Sequence, residues 1–142
     1  MKKRQAIKAL VVLERPADRA LLVSEDEDPA GQLFQRPLGG GVKYAEQAED
    51  AIRREIREEI GQELAELEQL GVIENVFSWG TETVHEIDFV FRATFADPDA
   101  YQIEEQSIRD TDGVRVVWRP PVQQTPPFYP REVLELLASP GP

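Results

Sequence analysis

GGVKYAEQAEDAIRREIREEIGQ, residues 40–62, decides the fold: a glycine run leads directly into a heavily charged helical repeat. At roughly 100° per residue, Ile52, Ile56 and Ile60 form one apolar stripe, so the spacing predicts a helix over 48–60 that stops at Gly61. Glu55, Glu58 and Glu59 fill a second sector, while Arg53, Arg54 and Arg57 lie on the far side of the stripe. Some of this charge is ordinary helix surface, since Glu49 with Arg53, Asp50 with Arg54 and Arg54 with Glu58 all have i,i+4 spacing. Glu55 and Glu59, however, are a like-charge i,i+4 pair, which costs a few tenths of a kcal/mol. Glu58 and Glu59 also fall in the last turn, where the helix dipole disfavours anions. A divalent cation would remove both penalties, and carboxylate oxygens without Cys or His nearby favour Mg2+ or Mn2+ over zinc. The competing explanation is a solvated face laced with ion pairs. Ala48 and Ala51, a turn or two earlier, would leave room beside the carboxylates. The preceding PLGGG (37–41) would let the backbone come close to a ligand; alone it reads more readily as an ordinary turn, but beside the acidic helix the two signals reinforce each other.

Working outward, the 142 residues suit one domain spanning 1–142, and 41% hydrophobic residues suit a folded core. The opening MKKRQAIKALVVLE is faintly leader-like, but ALVVL is short and Glu14 and Arg15 follow with no small-residue cleavage site. A cytoplasmic protein is expected, with no membrane partner, because no apolar run has the length of a membrane span. The absence of cysteine excludes disulfides and thiolate chemistry, and a single histidine argues against a His-rich metal site. The net charge of −11 argues against a nucleic acid polymer as partner. Small phosphorylated substrates stay open, since a bound metal reverses the sign of the local field.

Strands are expected over 7–13, 20–24, 33–36, 72–79, 83–95 and 114–119, with a short helix from about Pro130 to Leu137. Three glycines in a row argue against an ordinary strand over 37–41. In TVHEIDFVFRATF (83–95), His85 alternates with Phe89 and Phe91, so a buried histidine is expected. The polar connection over 96–113 is long enough to be functional. Mixed strands and helices in one domain of this length indicate an α/β sandwich.

The stretch 40–62 resembles the Nudix box, the signature of hydrolases acting on nucleoside diphosphates linked to another moiety. Gly40, Glu46, Arg54, Glu55, Ile56, Glu58, Glu59 and Gly61 match at the pattern's spacing. Gln62 stands where the pattern has an aliphatic residue, and Lys43 and Ala45 stand where many members have Glu and Gly. The resemblance implies an α/β/α sandwich around a mixed sheet and Mg2+-dependent hydrolysis of a pyrophosphate bond, with Mn2+ as the other ion. It casts Glu58 and Glu59 as principal metal ligands, and Glu55 as a further ligand or the base that activates water. The carbonyl of Gly39 or Gly40 would complete the set, Arg54 would orient a glutamate, and Glu46 would brace helix and loop. A homodimer is consistent with the family, though no stretch of this sequence decides it. The alternative activity is a non-catalytic module that senses a nucleotide or engages a partner. Such modules commonly lose box carboxylates, which this chain keeps.

Outside the box, Glu104 and Glu105 are candidates for a late-loop catalytic glutamate, against a simple acidic loop. Arg36 and Lys43 flank the glycines and could meet phosphates. Tyr44, Phe34 and Trp79 could stack on a base, against the usual role of aromatics in a core. No marker separates nucleoside triphosphate, ADP-ribose, dinucleoside polyphosphate and nucleotide-sugar substrates.

Overall fold

The apolar run of β1 (Lys2–Leu13) forms the centre of the molecule. Ala9 to Leu13 are buried on both faces, which is why they read as a continuous apolar stretch and not an alternating one. The computed structural model describes residues 2–109 and 111–138. Around β1 are β2 (Leu21–Glu27), β3 (Leu33–Gly41), β4 (Leu64–Trp79), β5 (Glu82–Phe95), β6 (Glu105–Ser107) and β7 (Arg115–Arg119). They form a seven-stranded sheet in the order β4-β5-β1-β3-β2-β7-β6. The β1–β5 pair is parallel and the other neighbours are antiparallel, so the sheet is mixed.

The helix α1 (Ala48–Ile60) docks through Ala51, Ile52, Ile56 and Ile60 on a cluster that includes Ala9, Val11, Leu38 and Phe91. Burying each isoleucine contributes about 1.5–3 kcal/mol. The second helix, α2 (Glu132–Ala138), inserts Val133 into a separate cluster with Val12, Val23, Val90 and Phe128. The result is the expected α/β/α sandwich. Among the described residues, no helix is long and apolar enough to cross a membrane.

The strand β3 serves two partners. Residues 38–41 pair with β1, and residues 33–37 pair with β2. The glycines therefore do not form a turn: they are the inner half of a strand, held by the β1 ladder in place of side-chain packing. At Gly39, φ is +151° and a Cβ would overlap the Ala9 carbonyl oxygen, so only glycine fits against β1.

Several expectations need correction. β4 begins at Leu64, well before residue 72, and α2 begins at Glu132. The connection over 96–113 contains a 3-10 turn, Pro98–Gln102, and the short β6. His85 is not buried; its side chain is 38% exposed and its Nε2 lies 2.8 Å from Glu74 Oε2. Burial on its face of β5 falls away from the buried Phe91 through the partly buried Phe89, so alternation named the face correctly but said nothing about what covers it. Ala51 opens no space beside the carboxylates, because it is fully buried in the core.

Candidate active site

Helix α1 forms where expected. It ends at Gly61, whose left-handed conformation (φ 69°, ψ 26°) directs its N–H to the Arg57 carbonyl at 3.0 Å. The Arg109 N–H from the β6–β7 loop donates to the Glu59 carbonyl at 3.0 Å, which closes this end of the helix. Of the surface pairs, Arg53 meets Glu49 at 3.8 Å, but Arg54 does not pair with Asp50.

Arg54 has a larger part than its place across the stripe suggested, because its long side chain reaches over to the carboxylate sector. Its Nε and Nη2 donate to both oxygens of Glu46 at 2.9 and 3.0 Å, and Nη2 also donates to the Gly41 carbonyl at 2.9 Å. Its Nη1 donates to Glu55 Oε1 at 3.0 Å and to Glu58 Oε2 at 3.2 Å. The Lys43 N–H donates to Glu46 at 3.0 Å. The Arg54 guanidinium, followed by that N–H, holds the Glu46 carboxyl down to about 2. Helix and glycine strand are thereby tied together through one guanidinium.

Glu59 is different. It is 8% exposed, its Oε1 has no hydrogen-bond partner among the described residues, and the Gly39 N–H donates to its carboxylate. Burial first, then the charge of Glu55, pushes its carboxyl up to about 8, against the opposing pull of Gly39 and Arg36. The Glu55 carboxylate lies where a Cβ on Gly40 would be, so this glycine makes room for it. Among the described residues, no three acidic or histidine side chains converge as a ready-made cation site. Glu55 and Glu58 are turned onto Arg54, and Glu59 is tucked under the glycines. A divalent cation nevertheless fits this donor set: all the donors are hard oxygens, one is buried without a partner, and Glu59 holds a proton that a cation would displace.

This has a measurable consequence. With divalent ions chelated, folded Glu59 keeps a proton that the unfolded chain, at its ordinary 4.5, releases. The stability from that proton is full below the unfolded value and is lost as pH rises toward about 8. Asp88, pushed up to about 7 mainly by burial, acts in the same direction. Asp18 and Glu46, both held down to about 2, lose their contribution only as pH falls below about 4.5, outside this window. Calorimetry in chelator should show Tm falling between about pH 5 and 8, with Glu59→Gln flattening the upper part; a Tm that rises over this range would contradict the assignment.

Two cavities flank the site. One, of about 590 Å3, lies at the start of α1 and takes in Lys43 and the fully exposed Tyr44 over a floor of Ile7 and Phe89. The other, of about 560 Å3, is walled by Phe34, Phe77, Trp79 and Tyr129 and reaches Arg36. Phe34 packs edge-on to Trp79 at 5.4 Å and lies 6.3 Å from Tyr129. Arg36 belongs to both regions, lining this cavity while its charge acts on Glu59. Arg36, Phe34 and Trp79 therefore gather in one place, whereas Lys43 and Tyr44 border the other hollow. Glu104 lies 3.2 Å from Arg15, and Glu105 lies 2.7 Å from Arg115. The sequence reading missed Tyr129 and Glu86, which line the aromatic cavity. An acidic residue between the apolar Val84 and Val90 on one strand face was the available signal for Glu86.

A sequence model of the NUDIX domain matches residues 4–135. Among solved structures, the crystal structure of a MutT NUDIX hydrolase from Burkholderia pseudomallei aligns with a TM-score of 0.57 at 21% identity, covering 82% of this chain and 83% of that one. The solution structure of the E. coli ORF135 protein aligns with a TM-score of 0.57 at 20% identity, covering 97% of this chain and 89% of that one. These two likenesses are likenesses of fold. No curated protein sequence matches.

Proposed function

The chain belongs to the NUDIX family of hydrolases, and we propose that it is a Mg2+-dependent pyrophosphohydrolase acting on a nucleoside diphosphate linked to a further group. The observation that carries this reading is the buried, unpartnered Glu59 Oε1 beside Gly39, next to a cavity that shares Arg36 with it.

In this reading Glu58 and Glu59, with the carbonyl of Gly39 or Gly40, would hold the cation, and Glu55 would be a further ligand or the base. When bound, Mg2+ neutralises phosphate oxygens and lowers the pKa of water; Mn2+ would serve similarly. The protein's own groups supply the rest. Arg36 meets the phosphate charge at the mouth of the cavity, and the aromatic walls receive the base. A glutamate left free of the cation, with Glu55 the leading candidate, takes the proton from the attacking water. Arg54 stays clamped to Glu46 and Gly41, so the helix and the glycine strand keep their spacing while Glu55 and Glu58 exchange partners. Glu104 and Glu105 are weaker candidates for the base, because each already faces an arginine and Arg115 holds the Glu105 carboxyl below its usual range. A nucleotide-sized substrate also accords with the cavity volume.

Purified protein with Mg2+ should cleave, at a pyrophosphate, at least one member of a panel of nucleoside triphosphates, ADP-ribose, dinucleoside polyphosphates and nucleotide sugars. Chromatography of the products checks this. Binding of a panel compound without cleavage would assign the fold to sensing instead.

A further inference from the structure

Glu86 is a carboxylate set into the wall of the aromatic cavity, 3% exposed. Arg36 Nη2 stands 3.9 Å from its Oε1, too far for a direct hydrogen bond. Asp88 lies two residues along the same strand face, fully buried, with its carboxyl against that of Glu86. Burial first, then the charge of Glu86 and a hydrogen bond shared with it, pushes the Asp88 carboxyl up to about 7. Lys8, the β1 neighbour of Asp88 in register, is itself pushed down by burial. The cavity wall thus presents a carboxyl group that the nearest guanidinium does not reach.

Its position indicates which donor it would meet. Arg36 marks the end of the cavity nearest Glu59, and Glu86 comes next. Asn75 lies opposite Glu86 in the β4–β5 register. Phe77 and Trp79 follow on the same face of β4, about 7 and 13 Å further on. Phe34 and Tyr129 close the far end against Trp79. Phosphate, sugar and base follow one another in this order along a nucleotide. With phosphate at Arg36 and base among the aromatics, the groups level with Glu86 and Asn75 are the sugar hydroxyls. A carboxylate accepts from a ribose diol through charge-assisted hydrogen bonds, and a sugar lacking one hydroxyl leaves part of that demand unmet.

We propose that Glu86, with Asn75 beside it, hydrogen-bonds the ribose hydroxyls of the substrate and makes this chain selective for ribonucleotides over 2′-deoxyribonucleotides. The proposal rests on the pyrophosphohydrolase reading above and adds the sugar to it. The test compares kcat/KM for nucleoside triphosphates, ADP-ribose, dinucleoside polyphosphates and nucleotide sugars, each with ribose or 2′-deoxyribose in the nucleoside, with wild type and Glu86→Gln. Wild type should prefer the ribo form by about tenfold or more whatever the base. Glu86→Gln should lose most of that preference by slowing the ribo series while the deoxy series changes little, with thermal melting confirming its fold. A residue that only packs would slow both series alike. Equal wild-type rates on the two sugars, or a preference that survives in Glu86→Gln, would overturn the ribose assignment and leave the hydrolase reading intact. Cleavage of neither series would overturn both.

Discussion

Glu58→Gln should fold like the parent protein and lose about two orders of magnitude or more in kcat. The two halves of this expectation have separate causes. Glu58 is half-exposed, and its one hydrogen bond is to Arg54 Nη1 at 3.2 Å. Arg54 keeps four other hydrogen bonds without it. Removing the charge also takes an anion out of the last helical turn, so Tm should stay level or rise slightly. The amide is a far poorer ligand for a hard cation and cannot take a proton, so the chemistry suffers while the packing does not. Steady-state kinetics in saturating Mg2+ beside a melting curve separates the two. Parental kcat would remove Glu58 from the site.

Gly39→Ala should have the largest effect on stability, about 3 kcal/mol or more. The new methyl would overlap the Ala9 carbonyl oxygen and crowd Leu10 Cα, both backbone of the central strand, which cannot yield without breaking its ladder. The φ of +151° is also closed to alanine. Gly41→Ala is the control: nothing lies within 4 Å of a Cβ there, so its cost should stay within about 1 kcal/mol. Urea denaturation of the pair measures the difference. A Gly39→Ala protein as stable as Gly41→Ala would show that the strand can shift to admit the methyl group.

Helix α1 and strand β5 were legible because their information is local. The isoleucine stripe, Gly61 and the alternating phenylalanines each carry a period that holds whatever packs against them. The first half of β4 was not legible. Over 64–71 the residues at this sheet edge are partly solvated glutamates and leucines, and the register slips between Ala65 and Glu68 and again between Gln69 and Gly71, which breaks the period of two. The glycine strand was missed because its cohesion comes from pairing with β1, a long-range contact with no propensity signal. In the candidate site, the spacing of Glu55, Glu58 and Glu59 could be read directly. Arg54's reach to Glu55 and Glu58 was not legible, because angular position fixes where a side chain begins and not how far a guanidinium extends. Tyr129 and Glu86 join Arg36 only through folding, as they are far apart in sequence.

The division of β3 between two partners has a consequence for how such a protein diversifies. Residues 33–37 carry Phe34 and Arg36 and take their register from β2, whereas residues 38–41 carry the glycines and take theirs from β1. In the proposed reading, one strand therefore holds the recognition and hydrolytic halves in separate frames. Substitutions along the β2 half can alter what is recognised without moving the glycines under Glu59. On that reading, ligand preference is free to change while the bond-breaking end stays still.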